Sequence, residues 1–366
     1  MRVLFYFGDK QWSGCARVTL DAACGLATRG HPVTLACCDG TRLETEARAA
    51  GIETALINST SSAAGGAWDL RRVIADRFVE VVVVSSERDQ LIVSSARLFA
   101  DRGAVLRRVP SFETIDLQRG GKLALKMAAS GLIVTTEREA QTVKSVGWTI
   151  PPAVAPLGVD LDGYDNVEPA PRGDIASPPE GLLIACNYDA SGRNRISTLF
   201  RTLALLGPRH RNMHAVVFGP GSLDEGLRMH ASALGVGSFV SFLGEASDER
   251  GIMRAAHAGW VVSSSDSAAY SCLDFMALQT PVIAERSPLT QHYVADGITG
   301  TLLPTADTSY TASTISAFLA SEDKLAAMGN AARLRVQREF SQGAMIDGFE
   351  RAVNAAGDRT KWTKAK

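Results

Sequence analysis

The chain is 366 residues long, 46% apolar and 21% charged, the balance of a globular protein with length for more than one core and, by default, two domains. Thirty-eight Lys and Arg against 39 Asp and Glu leave a formal charge of −1, which removes the electrostatic case for nucleic acid as main partner. Six cysteines without a C-x-x-C pair indicate a reduced, cytoplasmic chain. No run approaches the roughly 18 apolar residues of a membrane span, and the five apolar residues before Gly8 are too few for the core of an export signal.

Short β-branched or apolar runs alternate with amphipathic stretches from the start. Strands are predicted at Val3–Phe7, Val33–Cys37, Val79–Val84, Ala104–Val109 and Leu132–Thr135, with a helix near Ala16–Arg29 and crossover segments after the others. Val81–Val84 is apolar at every position, as suits a parallel strand covered on both faces. Seven of the 14 prolines fall between Pro151 and Pro179, so an interdomain linker is expected over 156–180.

A second alternation follows. Strands are predicted at Leu182–Ala185, Ala215–Phe218, Phe239–Leu243, Trp260–Val262 and Val282–Ala284, separated by helices near Ser197–Leu206, after Ser222, near Glu249–Ala256 and near Leu273–Leu278. From about Ser309 the chain reads as helical to Ala356, then ends in a basic tail expected to fray. The expected class is α/β, with two Rossmann-like doubly wound domains at 1–155 and 181–340 and a terminal helix at 341–366 returning to the first. Twin sheets of this kind bind ligands in a cleft at their carboxyl ends, though architecture alone names no reaction.

The familiar phosphate signatures are missing: neither G-x-x-x-x-G-K-[ST] nor a G-x-G-x-x-G after the first strand occurs. The six histidines lack metal-ligand spacing. Asp160-Leu161-Asp162 has a D-x-D form but reads as a solvated loop. Lys122–Met127 reads as an ordinary helix face, or as a short basic amphipathic patch for peripheral contact with a membrane surface.

The informative stretch is Ala215–Pro304. It holds Phe218-Gly219-Pro220-Gly221-Ser222, Val240-Ser241-Phe242-Leu243-Gly244, Ser263-Ser264-Ser265-Asp266 with Asp274 eight positions on, and Thr280-Pro281-Val282-Ile283. Glycines at strand ends admit positive φ and close ligand approach. A helix opening near Ser271 would offer free N–H groups and a positive dipole end to a diphosphate, with Asp274 one turn inside to take ribose hydroxyls.

In order and spacing this set resembles the family-4 retaining glycosyltransferases of the GT-B fold, also called group 1. Pro156-Leu157-Gly158-Val159-Asp160 is similar to that family's P-N-G-V-D, and Leu26–Thr34 to its L-x-x-R-G-H-x-V-T; Asp296-Gly297-Ile298-Thr299-Gly300-Thr301-Leu302-Leu303-Pro304 is similar to its D-G-x-T-G-x-L-V-P. The resemblance implies a metal-independent retaining transferase with a nucleotide-sugar donor and a glycan, lipid or small-molecule acceptor. Asp266 and Arg193 then take catalytic roles. Gly14, Asn187, Asn194, Gly219, Glu245, Asp274 and the amides of Tyr270 and Ser271 bind the donor, while Trp12 and Arg108 face the acceptor.

Several positions depart from the family. Its two glutamates are Asp266 and Asp274, each shorter by about 1.5 Å, one C–C bond. Its arginine and lysine are Asn187 and Asn194, so the diphosphate cation falls to Arg193 by a one-residue shift. Its glycine after the first glutamate is Ala269, and its N-terminal-domain histidine has no counterpart; Arg107 and Arg108 alternate faces there, so one of them reaches the cleft. These changes motivate an alternative, a catalytically degenerate GT-B protein that binds a glycan or partner. A phosphorylase would need a cofactor lysine, and none occurs between Lys144 and Lys324.

Overall fold

A computed structural model of the chain describes residues 1–57, 63–100, 102–111, 129–145, 148–206, 213–304 and 308–364. The chain divides into two compact units, Met1–Leu157 with Gln342–Lys366, and Gly158–Ser341. Lys122–Met127 lies outside the described residues.

Unit 1 is a parallel sheet in the order β3-β2-β1-β4-β5-β6-β7. Its strands are β1 (Val3–Phe7), β2 (Val33–Cys37), β3 (Glu53–Leu56), β4 (Val81–Val84), β5 (Ala104–Arg108), β6 (Gly131–Val134) and β7 (Ala153–Val154). β1 pairs Val3 with Val33 of β2 on one side and with Val81 of β4 on the other. The order therefore reverses between β1 and β4, the crevice where open α/β sheets bind ligands. Helices α1 (Gly14–Thr28), α2 (Arg42–Ala49), α3 (Ala63–Asp76), α4 (Glu87–Ala100) and α5 (Glu137–Ser145) connect them. Leu4, Phe5, Val82 and Val83 are buried, as apolar runs on a doubly covered sheet must be.

Unit 2 orders its strands β10-β9-β8-β11-β12-β13, all parallel, and reverses between β8 and β11. They are β8 (Leu182–Asn187), β9 (Met213–Phe218), β10 (Val240–Gly244), β11 (Ala258–Val261), β12 (Val282–Glu285) and β13 (Gly300–Leu303). Between them run α6 (Ile196–Leu206), α7 (Glu225–Ala233), α8 (Glu249–Ala255), α9 (Ser265–Ala277) and α10 (Pro288–Tyr293), followed by α11 (Thr308–Phe318) and α12 (Glu322–Glu339). Trp260, Phe200, Leu199 and Ile196 form the centre of the core between sheet and helices.

Two expectations change. Residues 158–180, read as a linker, belong to unit 2: Tyr164 and Ile175 are buried, Ala170 N–H donates to Gly251 O, and Ser241 Oγ donates to Ala176 O. The prolines stiffen a packed strap rather than a free connection. The basic tail expected to fray is helical through Lys364, as the end of α13 (Gln342–Lys364). That helix belongs to unit 1, where Arg29 forms ion pairs at 2.5 Å with both Asp347 and Glu350. Among the described residues no helix is long and apolar enough to cross a membrane.

Unit 2 is expected to be acid-sensitive. Burial lowers the pKa of His257 and of His214 below the ordinary 6.5, with the charge of Arg172 adding to the shift in both. Leu183 N–H donates to Nδ1 of His257 at 3.0 Å, which requires that nitrogen unprotonated. Folded pKa values below the unfolded one mean that the unfolded chain takes up protons first, so stability is full above pH 6.5 and falls as the pH drops below it. Scanning calorimetry from about pH 7.5 to about pH 5.5 should show a falling melting temperature, flattened by His257→Asn, which keeps an acceptor oxygen without the titration.

Candidate functional site

In unit 2 the carboxyl ends of β8, β9, β10 and β11 meet around glycine-rich turns. Gly219, after β9, has φ +109°, and a Cβ there would lie 2.3 Å from Tyr188 O and 3.0 Å from Asn187 Oδ1. Only glycine fits. Its N–H donates to Gly244 O at 2.7 Å, and Gly244 N–H donates to the buried Ser222 Oγ at 2.9 Å. On the other side, Ser264 N–H donates to Ser191 Oγ at 3.0 Å, which ties the β8 loop to the segment leaving β11. Ser191 Oγ in turn donates to Asp189 Oδ1 at 2.5 Å.

The cations divide between two partners. Arg193, exposed, stands 3.6 Å from Asp224 Oδ2, while Asp224 Oδ1 caps α7 by accepting from Gly226 N–H at 2.7 Å. Arg195 turns to the start of α9: its Nη1 lies 3.5 Å from Ser263 O and its Nε 3.7 Å from Glu285 Oε2. Thr198 Oγ1 holds the other oxygen of Glu285 at 3.2 Å. The guanidinium at the mouth of α9 is thus Arg195 rather than Arg193. Asn187 is half-buried beside Gly219, whereas Asn194 and Glu245 are exposed.

Helix α9 begins at Ser265, six residues earlier than the predicted opening near Ser271. Tyr270 and Ser271 consequently lie in its second turn, both buried, where backbone N–H groups bond to carbonyls four residues back and cannot cradle a diphosphate. Ser267-Ala268-Ala269 carry no amphipathic period because α9 is buried on nearly every side, and alanine favours the helix regardless. Asp266, 1% exposed, occupies the first turn, where the positive end of the helix favours a carboxylate. Just before it, Ser265 has φ +50°, a left-handed conformation that costs a residue with a Cβ about 1–2 kcal/mol. Such strain tends to persist where it aims a side chain.

Asp274 lies in the third turn of α9, not the first, and is 6% exposed. Tyr164 Oη donates to its Oδ1 at 2.5 Å. The Tyr164 ring carries the Arg250 guanidinium 4.2 Å from its centroid, and Arg250 Nη1 donates to Gly163 O at 2.6 Å. Neither Tyr164 nor Arg250 is singled out by the sequence; the only available signal is an aromatic hydroxyl inside a stretch otherwise suited to a loop. Beside this pair Cys272 is fully buried, and burial, with Asp274 adding, pushes its thiol up to about 12, which leaves it inert.

In unit 1 the β1–α1 loop places Ser13 as the cap of α1, its Oγ accepting from Ala16 N–H at 3.3 Å, and buries Gly14 in the first turn. Trp12 is half-buried with the Arg42 guanidinium 4.6 Å from its ring centroid, so one face of the ring is already covered. Arg108, assigned to the acceptor side, is buried with Nη1 4.0 Å from Cys15 Sγ. Arg107 instead lines a cavity of about 740 Å³ at the carboxyl ends of β1, β4 and β5, together with Gly8, Ser85 and Asp89. Alternation on the strand restricted the choice to one arginine but did not say which. Among the described residues no group of three or more His, Cys, Asp or Glu side chains is placed to hold a metal ion.

Residues 178–335 match the family "Glycosyl transferases group 1". A curated relative, D-inositol 3-phosphate glycosyltransferase 2 of Catenulispora acidiphila, is 29% identical over 243 residues, which cover 62% of this chain and 57% of that protein. Among solved structures, Anabaena HepE in complex with UDP and glucose superposes with a TM-score of 0.82 at 16% identity, covering 97% of this chain and 100% of that one. Sucrose-phosphate synthase from Thermosynechococcus elongatus superposes with a TM-score of 0.78 at 15% identity, covering 97% and 98%. Residues 178–335 are therefore similar to the group 1 glycosyl transferases, and the chain has the GT-B fold.

Proposed function

We propose that the protein is a retaining glycosyltransferase that moves a sugar from a nucleoside-diphosphate donor to a hydroxyl acceptor without a metal ion. One observation carries this reading: the β8/β11 reversal in unit 2 brings the bare backbone of Gly219, the start of α9 with buried Asp266, and the Arg195 guanidinium to one corner. A departing diphosphate concentrates negative charge on its leaving oxygen, and a helix start beside a fixed guanidinium stabilises that charge without reorganising. Asp266 holds a hydroxyl of the donor sugar, Asp274 the ribose, and Glu245 lies where the base is read. The leaving phosphate itself takes the acceptor's proton.

The solved complexes of HepE make uridine nucleotides the first probes. Isothermal titration with UDP, ADP and GDP should find one saturable nucleotide, weakened about tenfold by Arg195→Ala, the loss of one charge-assisted bond worth about 1.5 kcal/mol, and less than about twofold by Arg193→Ala. Release of the diphosphate from the matching sugar donor then tests turnover. Binding with no turnover across a broad donor and acceptor panel would instead identify a degenerate GT-B binder.

A further inference from the structure

Three nitrogen-bearing side chains gather at the start of β8 in unit 2, the end of the sheet opposite the glycine-rich turns. Arg172, on the strap, donates from Nη1 to Ser177 Oγ at 3.1 Å and from Nη2 to Gly181 O at 3.2 Å. Two residues beyond Gly181, Leu183 N–H donates to Nδ1 of His257, and His257 N–H donates back to Leu183 O at 2.9 Å. His214 is the register partner of Leu183 on β9, one strand spacing of about 4.8 Å away. The proposed donor chemistry uses none of the three.

The cluster is short of negative charge. Both hydrogen bonds of half-buried Arg172 go to uncharged oxygens, and among the described residues no carboxylate pairs with it. Burial lowers its pKa, as for a guanidinium withdrawn from water without a counter-ion. Burial also lowers the pKa of His214 and His257, and the Arg172 charge adds to the shift in each. The one carboxylate that opposes this is Glu322, at the start of α12, and it acts on His257 alone. Asp174 and Glu180, exposed on the strap, act on neither ring.

The hydrogen bonds fix where the protons sit. His257 accepts at Nδ1, so its neutral ring carries the proton on Nε2 as a donor. Ser241 Oγ donates to Ala176 O at 2.6 Å and therefore accepts, at 2.8 Å, from Nε2–H of His214, whose Nδ1 is the unprotonated nitrogen. A proton added to His214 breaks neither bond, whereas one added to His257 would break the bond from Leu183. Ala176 closes this chain at φ +48°, a left-handed conformation uncommon for a residue with a Cβ. A guanidinium fork and two imidazoles from three separate segments suit a compact dianion with several oxygens better than a flat carboxylate. We propose that Arg172, His257 and His214 bind a phosphate group, free or as a monoester. The guanidinium and His257 Nε2–H donate to its oxygens, and His214 takes up a proton from solvent as the anion binds. The site stands whether or not the protein transfers sugars.

Histidine-ring NMR on the full chain tests it, with sulfate as first probe because its charge stays constant over the pH range. The His214 and His257 signals, assigned through His214→Asn and His257→Asn, should shift saturably with sulfate and not with chloride at equal ionic strength. Sulfate affinity should rise about five- to tenfold from about pH 7.5 to about pH 6, because the anion favours protonated His214. Arg172→Gln should remove the shifts and Arg172→Lys, which keeps the charge without the fork, should restore part of the affinity; if the Gln variant does not fold, a loss of at least about threefold in the Lys variant carries the comparison. Arg195→Ala, at the donor corner, should leave the shifts unchanged. Inorganic phosphate and glycerol 3-phosphate, compared at about pH 7.5, then identify the source: tighter binding of the ester assigns a phosphorylated metabolite, and equal or weaker binding assigns free phosphate. No saturable shift with sulfate, undiminished affinity in the folded Arg172 variants, shifts lost with Arg195→Ala, or no tightening toward acid overturns the proposal.

Discussion

Replacing Gly219 with alanine is expected to lower the melting temperature of unit 2 by about 10 °C and to abolish nucleotide binding. Two penalties coincide. Holding alanine at φ +109° costs about 1–2 kcal/mol, and a Cβ 2.3 Å from the Tyr188 carbonyl oxygen forces a backbone shift costing about 1–3 kcal/mol more. For a unit of this size each kcal/mol corresponds to roughly 2–4 °C. The displaced backbone is also the surface that the proposed diphosphate must approach. Gly221→Ala separates the two penalties: its φ is +82°, but a Cβ there meets nothing closer than Tyr188 Cε1 at 3.7 Å. That variant should lose about 1–2 kcal/mol and keep nucleotide affinity within a few-fold. Equal losses in calorimetry and titration for the two variants would show that the contact with Tyr188 has no special weight.

The same glycine shows what a sequence can reveal. A glycine directly after a β-branched run, followed by proline and a second glycine, announces both the strand end and the need for positive φ, because one physical cause produces both. Val81–Val84 was equally legible, since every position is apolar and every position is buried. The edges of the unit 1 sheet were not: β3 is Glu-Thr-Ala-Leu and β7 only Ala-Val, half-exposed stretches in which no hydrophobic period can develop. The start of α9 was placed too late for the opposite reason. A helix buried all round has no amphipathic stripe, and the run Ser263-Ser264-Ser265, of which only the last is helical, reads as a turn.

Partnerships between distant side chains were the least legible part of the site. Nothing local to Arg193, Asn194 and Arg195 says that Asp224 draws the first arginine aside while Glu285 and Ser263 O hold the third at α9, because those partners lie tens of residues away. Arg107 and Arg108 pose the same problem within one strand; the alternation is readable, but the face that opens into a cavity depends on the β1–α1 loop and on Asp89. A motif therefore located the corner, and the fold chose which charge stands in it.

Asp274 and Tyr164 should be energetically coupled in nucleotide binding. If the shortened carboxylate still holds a ribose, its orientation depends on the Tyr164 hydroxyl that donates to Oδ1. Asp274→Ala is expected to weaken UDP binding by about 10–100-fold, the range of a lost hydrogen bond to a charged group at 1.5–3 kcal/mol. Tyr164→Phe keeps the ring under Arg250 but removes the hydroxyl, and should weaken UDP by about tenfold and the fold by about 1–3 kcal/mol through an under-partnered buried carboxylate. In the Asp274→Ala background Tyr164→Phe should cost almost no further affinity, a coupling of at least about 1 kcal/mol in a double-mutant cycle. The cycle is measured twice, by titration with UDP and by thermal unfolding. Coupling in unfolding alone would make the pair a structural clasp between the 158–180 strap and α9, and the ribose would then need another partner in unit 2.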